Sequence, residues 1–303
     1  MINRRTFLAA AAAPLLAPLH AQDPWPSPVI DIHLHPRRDG VSSLDHVQGA
    51  GMAQAVLLTH LKDQDRAAEQ IARHPGRFAW FVAADPSLPG SIAGLTQALK
   101  DGAIGIGEMK NHTAADAKDM RRVYDLAADH KAPVLIHFQE SSPFAAEGTW
   151  NTGYRHFDKI LKAHKKTTFI GHANFFWASI SADVPANSEY PSGPVKLGGL
   201  TDRWLADFPN LFGDLSANSG HNALTRDPSF ARSFLARHQN KLMFGSDCSC
   251  KDGRGTGSGA LLPSLKRKCV GRETLTRLQE LSSPDVFKKL AWSNAHGVLR
   301  LPV

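Results

Sequence analysis

The chain has 303 residues, 42% of them hydrophobic and 21% charged. That is enough apolar content for a sizeable core, and it excludes a disordered or fibrous chain. The formal net charge of +7 is modest for this length, and no basic stripe interleaved with aromatics points to a nucleic-acid partner.

Residues 1–21, MINRRTFLAAAAAPLLAPLHA, predict an export signal. Arg4 and Arg5 precede an apolar run from Phe7 to Leu19 that is too short to span a membrane. The NRRTFL core resembles a twin-arginine signal, which exports proteins already folded and often already loaded with a cofactor. The expectation is a periplasmic or secreted mature domain, residues 22–303, with no membrane span.

Short apolar, β-branched runs then alternate with helical patterns. The predicted strands are VIDIHLH (29–35), AQAVLLTH (53–60), FAWFVAAD (78–85), AIGIGEMK (103–110), PVLIHFQ (133–139), TTFIGHAN (167–174), LFGDLSA (211–217) and LMFGSDC (242–248). Near-continuous apolar runs suit parallel strands buried on both faces. SSLDHVQGAG, SIAGLTQALKDG, DAKDMRRVYDLAADHKAP, HFDKILKAHKK, LTDRWLADFPN and DPSFARSFLARHQN supply helices between them. The tail from Gly271 adds two more, broken at a Ser-Pro step that Ser283 should cap. Eight strands alternating with helices predict a single-domain (β/α)8 TIM barrel, with long connections after strands five, six and eight. The connection FFWASISADVPANSEYPSGPVKLGG, after the sixth strand, is a candidate lid or substrate wall.

In such a barrel the chemistry sits at the carboxyl ends of the strands. His33 and His35 end the first predicted strand, Glu108 the fourth, His137 the fifth, His172 the sixth and Asp247 the eighth. Strand alternation puts His33 and His35 on one face, roughly 6–7 Å apart at Cα, which suits two ligands of one ion. Asp31 shares their parity but lies deeper, as a supporting group. Imidazoles with carboxylates form a nitrogen/oxygen donor set for zinc, or for manganese or iron. A single HxH is a weak signal; six such residues at one barrel end are hard to explain as structural, because buried unpaired carboxylates are costly.

The ordered set DIHLH, GIGEMK, VLIHF, FIGHAN and FGSD, with the closing SNAHGVLRL, resembles the amidohydrolase-related branch of the amidohydrolase superfamily, metal-dependent TIM-barrel hydrolases, from about Val29 to the end. The resemblance implies a divalent-metal site, one ion or two, held by His33, His35, Glu108, His137, His172 and Asp247. Glu108 stands where some members have a bridging glutamate and others a carbamylated lysine; Lys110 is the nearby lysine. Hydrolysis by a metal-activated water follows, with Asp247 as the base and His172 beside the metal as a further catalytic group.

The substrate reading is a small organic ester, lactone or amide. Arg37, with Arg38 beside it, could bind an anionic group; His60, His112, Asn174 and Trp177 are candidate pocket residues, the last within an aromatic run Phe175-Phe176-Trp177, and Asn218 and His221 follow the seventh strand. A decarboxylase of the same family, a nuclease or phosphoesterase, and an exported metal- or ligand-binding barrel stay open as alternatives. The oligomeric state stays open too, a dimer included. Cys248, Cys250 and Cys269 admit a disulfide involving Cys269, or contact of Cys248 with the metal.

Overall fold

The computed structural model describes residues 24–37, 41–142, 150, 152–185 and 189–301. The predicted leader and Arg38 lie outside them. Eight parallel strands form one sheet in sequential order: β1 (Ile30–Leu34), β2 (Gln54–His60), β3 (Phe78–Ala83), β4 (Gly105–Met109), β5 (Val134–His137), β6 (Phe169–His172), β7 (Leu211–Asp214) and β8 (Leu242–Met243). The amide of Ile32 donates to the Phe244 carbonyl at 3.1 Å, carrying the last segment back to the first strand. The helices are α1 (Val41–Gly49), α2 (Gln64–Arg73), α3 (Ser91–Lys100), α4 (Lys118–His130), α5 (Asp158–Ala163) and α6 (Asn174–Ala178). They continue as α7 (Leu200–Asp207), α8 (Ala217–Thr225), α9 (Pro228–Arg237), α10 (Val270–Leu281), α11 (Pro284–Lys288) and α12 (Asn294–Leu299). Ser283 accepts from the Val286 amide at the start of α11, the cap the Ser-Pro step predicts.

Two apolar layers hold the barrel. The larger lies between the sheet and the helices; the smaller, with Ile30, Ile32, Val56, Leu58, Leu135, Ile170 and Met243, plugs the interior and is closed by Leu299 of α12. Leu135 lies two residues before His137 and Ile170 two before His172, so these histidines rise from the same inner faces directly above the plug.

The ladders depart from regular alternation at two places, between Asp31 and Leu34 on β1 and between Ile106 and Met109 on β4. Ile106 joins the outer layer, yet Glu108 lies at the interior site; Ile32 joins the plug, yet His33 reaches the same site. An irregularity in the ladder re-aims a side chain that strict period-two alternation would send elsewhere. Gly107 permits this on β4: its φ is +147, and a Cβ there would stand 2.8 Å from Leu135 Cβ.

The eighth strand is shorter than predicted. Only Leu242 and Met243 pair with β7, and residues 244–248 continue outside the ladder. The sixth stops at His172. Ala173 takes a positive φ of 79, and α6 begins at once. The predicted connection beyond it therefore opens with a buried helix, and Phe175, Phe176 and Trp177 are packing residues rather than a pocket wall. Trp177 is 1% exposed, donates its indole N–H to the Asp214 carbonyl at 2.8 Å and meets Phe234 edge-on. An aromatic run directly after a strand satisfies a core as readily as a pocket, and here the core takes it.

Candidate metal centre

Six side chains meet above the plug. His35 Nε2 lies 3.4 Å from a Glu108 oxygen and 3.6 Å from an Asp247 oxygen. His33 Nε2 lies 3.7 and 3.8 Å from the same pair, and His172 Nε2 is 3.5 and 3.9 Å from Glu108 and Asp247. His137 turns its Nδ1 onto Glu108 in a short contact. Donors held at about 2.0–2.1 Å around one ion lie roughly 3–4 Å apart, so the set has the spacing of a first coordination shell. All six residues expected at the metal are thereby brought together.

Each imidazole is oriented from behind. His33 Nδ1 lies 2.7 Å and His172 Nδ1 3.3 Å from the same Asp214 oxygen, which also accepts from Ser216 Oγ at 2.8 Å. His35 Nδ1 faces the Leu58 carbonyl at 3.2 Å. With Nδ1 protonated toward these acceptors, all three rings present Nε2 lone pairs to the centre, the arrangement that fixes the tautomer of a ligating histidine. His137 is braced by Gln139, whose Oε1 is 2.5 Å from Nε2. Asp214, Ser216 and Gln139 are absent from the sequence-based site, although Asp214 occupies the carboxyl end of β7 as the ligands do on their own strands.

The electrostatics suit a cation. Burial alone would push the Glu108 carboxyl up, but His137, His33 and His35 around it hold it well below the usual range. Asp214 is held down the same way, burial being outweighed by His33 and His172. Burial works against charge on His33, yet Asp247 and Asp214 raise its pKa well above the ordinary value. His33 Nε2 is nonetheless buried without a hydrogen-bond partner. Buried polar atoms are ordinarily satisfied, and a cation among Glu108, Asp247 and the three Nε2 atoms satisfies this one. The donor set therefore fits a divalent metal.

Asp247 is the most open of the carboxylates, its side chain 29% exposed against 6% for Glu108. It sits at φ +42, with its amide on the His33 carbonyl at 2.8 Å. Ala173 and Ala217, also at positive φ, line the same mouth. Backbone in the left-handed region is costly for these residues, and its concentration at strand ends marks a shaped site. Asp31 braces this turn from below, accepting from the Ser246 amide and hydroxyl at 2.8 and 2.5 Å. Burial pushes its carboxyl up to about 7.

Two cavities open on the centre. One, about 300 Å³, runs past His35 and Glu108 to His60 and Asn111; the other, about 230 Å³, is lined by His137, His172, Asn174, Tyr190, Asn218 and Asp247. Lys110 lines both. Of the expected pocket residues, His60, Asn174 and Asn218 thus face a cavity. His112 lies outside both linings and stacks on Trp150 at 3.8 Å, which in turn covers His137. His221 is buried against Thr274, where α8 meets α10.

Arg37 is also placed otherwise than expected: its guanidinium donates to the carbonyls of Cys248 and Cys250, clamping the turn after Asp247 rather than facing a cavity. Replacing Arg37 with Ala removes those donors from two carbonyls. It is expected to cost about 1–3 kcal/mol of stability, readable in denaturant unfolding, with the metal affinity of the His33–Asp247 centre little changed.

A family model described as amidohydrolase matches residues 30–301. The chain belongs to the amidohydrolase family. Solved structures share the fold of this chain. Dihydroorotase from Campylobacter jejuni aligns at TM-score 0.53 and 15% identity, over 91% of this chain and 84% of that one. A TatD homologue from Escherichia coli K12 aligns at 0.55 and 16%, over 90% and 98%. 4-Oxalomesaconate hydratase from Rhodopseudomonas palustris aligns at 0.54 and 12%, over 90% and 95%. At these identities the shared property is the fold. No curated protein matches the chain. No helix among the described residues is long and apolar enough to cross a membrane.

Proposed function

We propose that this protein is a metal-dependent hydrolase acting on an ester, lactone or amide bond of a small organic substrate that carries an anionic group. The observation that carries the reading is the convergence of three Nε2 atoms on Glu108 and on the partly exposed carboxylate of Asp247. When bound, a divalent ion, zinc foremost, supplies a Lewis acid that lowers the pKa of water from about 16 toward about 7 and polarises a carbonyl oxygen. His33, His35, His137, His172, Glu108 and Asp247 would hold it. Asp247, facing the cavity, takes the proton of the attacking water and returns it to the leaving group. Asp214 and Ser216 keep His33 and His172 oriented throughout. Lys110, between the two cavities, gives the substrate's anionic group a fixed partner.

The test is reconstitution of the metal-free full chain with zinc, manganese or iron, assayed against small esters, lactones, amides and phosphoesters. Hydrolysis that disappears on chelation and returns with metal is the expected result, with carboxylate-bearing substrates preferred. Release of carbon dioxide without hydrolysis would replace this reading with decarboxylation. Cleavage confined to phosphoesters would replace it with phosphoester chemistry.

A further inference from the structure

A second cluster of soft ligands lies apart from the active site. Cys248, Cys250 and Cys269 are free thiols, 2%, 0% and 2% exposed, and His46 of α1 is 0% exposed beside them. One ligand atom from each of the four lies within 4.8 Å of the others. The Cys248 sulfur is 3.3 Å from that of Cys250 and 3.8 Å from that of Cys269, and His46 Nδ1 is 3.3 Å from Cys250 Sγ. Zinc bonds thiolate at about 2.3 Å, which puts the sulfurs of a tetrahedral site about 3.8 Å apart. The observed spacings sit at or just inside that edge.

We propose that His46, Cys248, Cys250 and Cys269 form a structural zinc site. Three features beyond the distances favour it. The Nδ1 of His46 faces sulfur and its buried Nε2 has no hydrogen-bond partner, a poor arrangement for an imidazole serving only as core. Burial keeps that ring neutral, the form a ligand needs. None of the four residues lines either active-site cavity, so the set is closed, four protein ligands with no open position, which is the structural rather than the catalytic pattern.

Three sulfurs packed against one another in the core can ionise together only with a cation among them. Three thiolates and one zinc leave a single negative charge, and the Arg37 guanidinium lies against the Cys248 and Cys250 carbonyls to offset it. The site would tie α1, the turn after Asp247 and the start of α10 together. The close approach of the 252–253 backbone to α1 already prepares that junction: the Gly253 Cβ position is filled by His46 and Ala50 backbone.

Cobalt substitution of the full chain, purified under reducing conditions, tests the proposal independently of the catalytic reading. The active site offers only nitrogen and oxygen, so a thiolate-to-cobalt charge-transfer band reports this site alone. The band is expected in the wild type, to survive in the His33→Asn/His35→Asn variant, and to vanish in Cys250→Ser and Cys269→Ser with loss of one bound ion per chain. Zinc should also slow alkylation of the three cysteines, and a chelator should restore it. Cobalt bound without the band in the wild type would overturn the proposal whether or not the variants fold. So would thiols that react at the same rate with and without zinc.

Discussion

Replacing Asp247 with asparagine is expected to lower kcat by about 10²–10⁴-fold, or roughly 3–5 kcal/mol of transition-state stabilisation, while the chain keeps its metal. The substitution retains an oxygen donor and the shape of the side chain, so the coordinating set loses charge but no atom. What it removes is the capacity to accept a proton. Asp247 suits that role because it is the one carboxylate of the centre with substantial access to the cavity, while Glu108 is enclosed by His33, His35 and His137. Its backbone is held independently of the carboxylate, by its amide on the His33 carbonyl and by the Ser246–Asp31 bonds one residue earlier. The fold should therefore survive the change. Steady-state kinetics alongside elemental analysis decide the matter. Turnover at the wild-type rate would remove Asp247 as the base, and loss of metal in step with activity would make it a ligand first.

The sequence brought out the six residues of the candidate centre because each ends a predicted strand, and strand ends on one rim of a barrel are neighbours whatever lies between them. Its account of how they face one another was less secure. Simple alternation puts Asp31, His33 and His35 on one face, but the irregularity on β1 sends Ile30 and Ile32 to the plug and leaves Asp31 bonded to Ser246. The same holds on β4, where parity alone would group Glu108 with Ile106. Both irregularities fall on strands that carry residues of the candidate centre, and nothing in a window of apolar residues announces them except Gly107. Arg37 and Trp177 were misplaced for a different reason. A cation or an aromatic ring near a strand end satisfies carbonyls or a core as well as a substrate, and only tertiary packing distinguishes these uses. The cysteine cluster was legible as three thiols but not as a set of four, since His46 lies about two hundred residues away on α1, in SSLDHVQGAG, which reads as an ordinary helix.

Asp214 gives the sharper test of how the centre is organised. Substituting alanine is expected to weaken metal binding about 10–100-fold, the usual consequence of removing a group that orients ligating histidines. One Asp214 oxygen faces His33 Nδ1, His172 Nδ1 and Ser216 Oγ together, so its removal frees two rings of the site at once. Ser216 is a weaker substitute: its hydroxyl, 2.9 Å from His172 and 3.2 Å from His33, can accept from both rings but carries no negative charge to hold them. The metal-free chain should be destabilised as well, by about 1–3 kcal/mol for each buried donor left unsatisfied. Asp214→Asn separates the two effects. It keeps the volume and one acceptor oxygen, so stability should largely recover while metal affinity, which depends on the negative charge behind both rings, remains reduced. Titration of the metal-free variants with zinc, read against denaturant unfolding of the same preparations, measures both quantities. Wild-type affinity in Asp214→Ala would mean that His33 and His172 are oriented by packing alone.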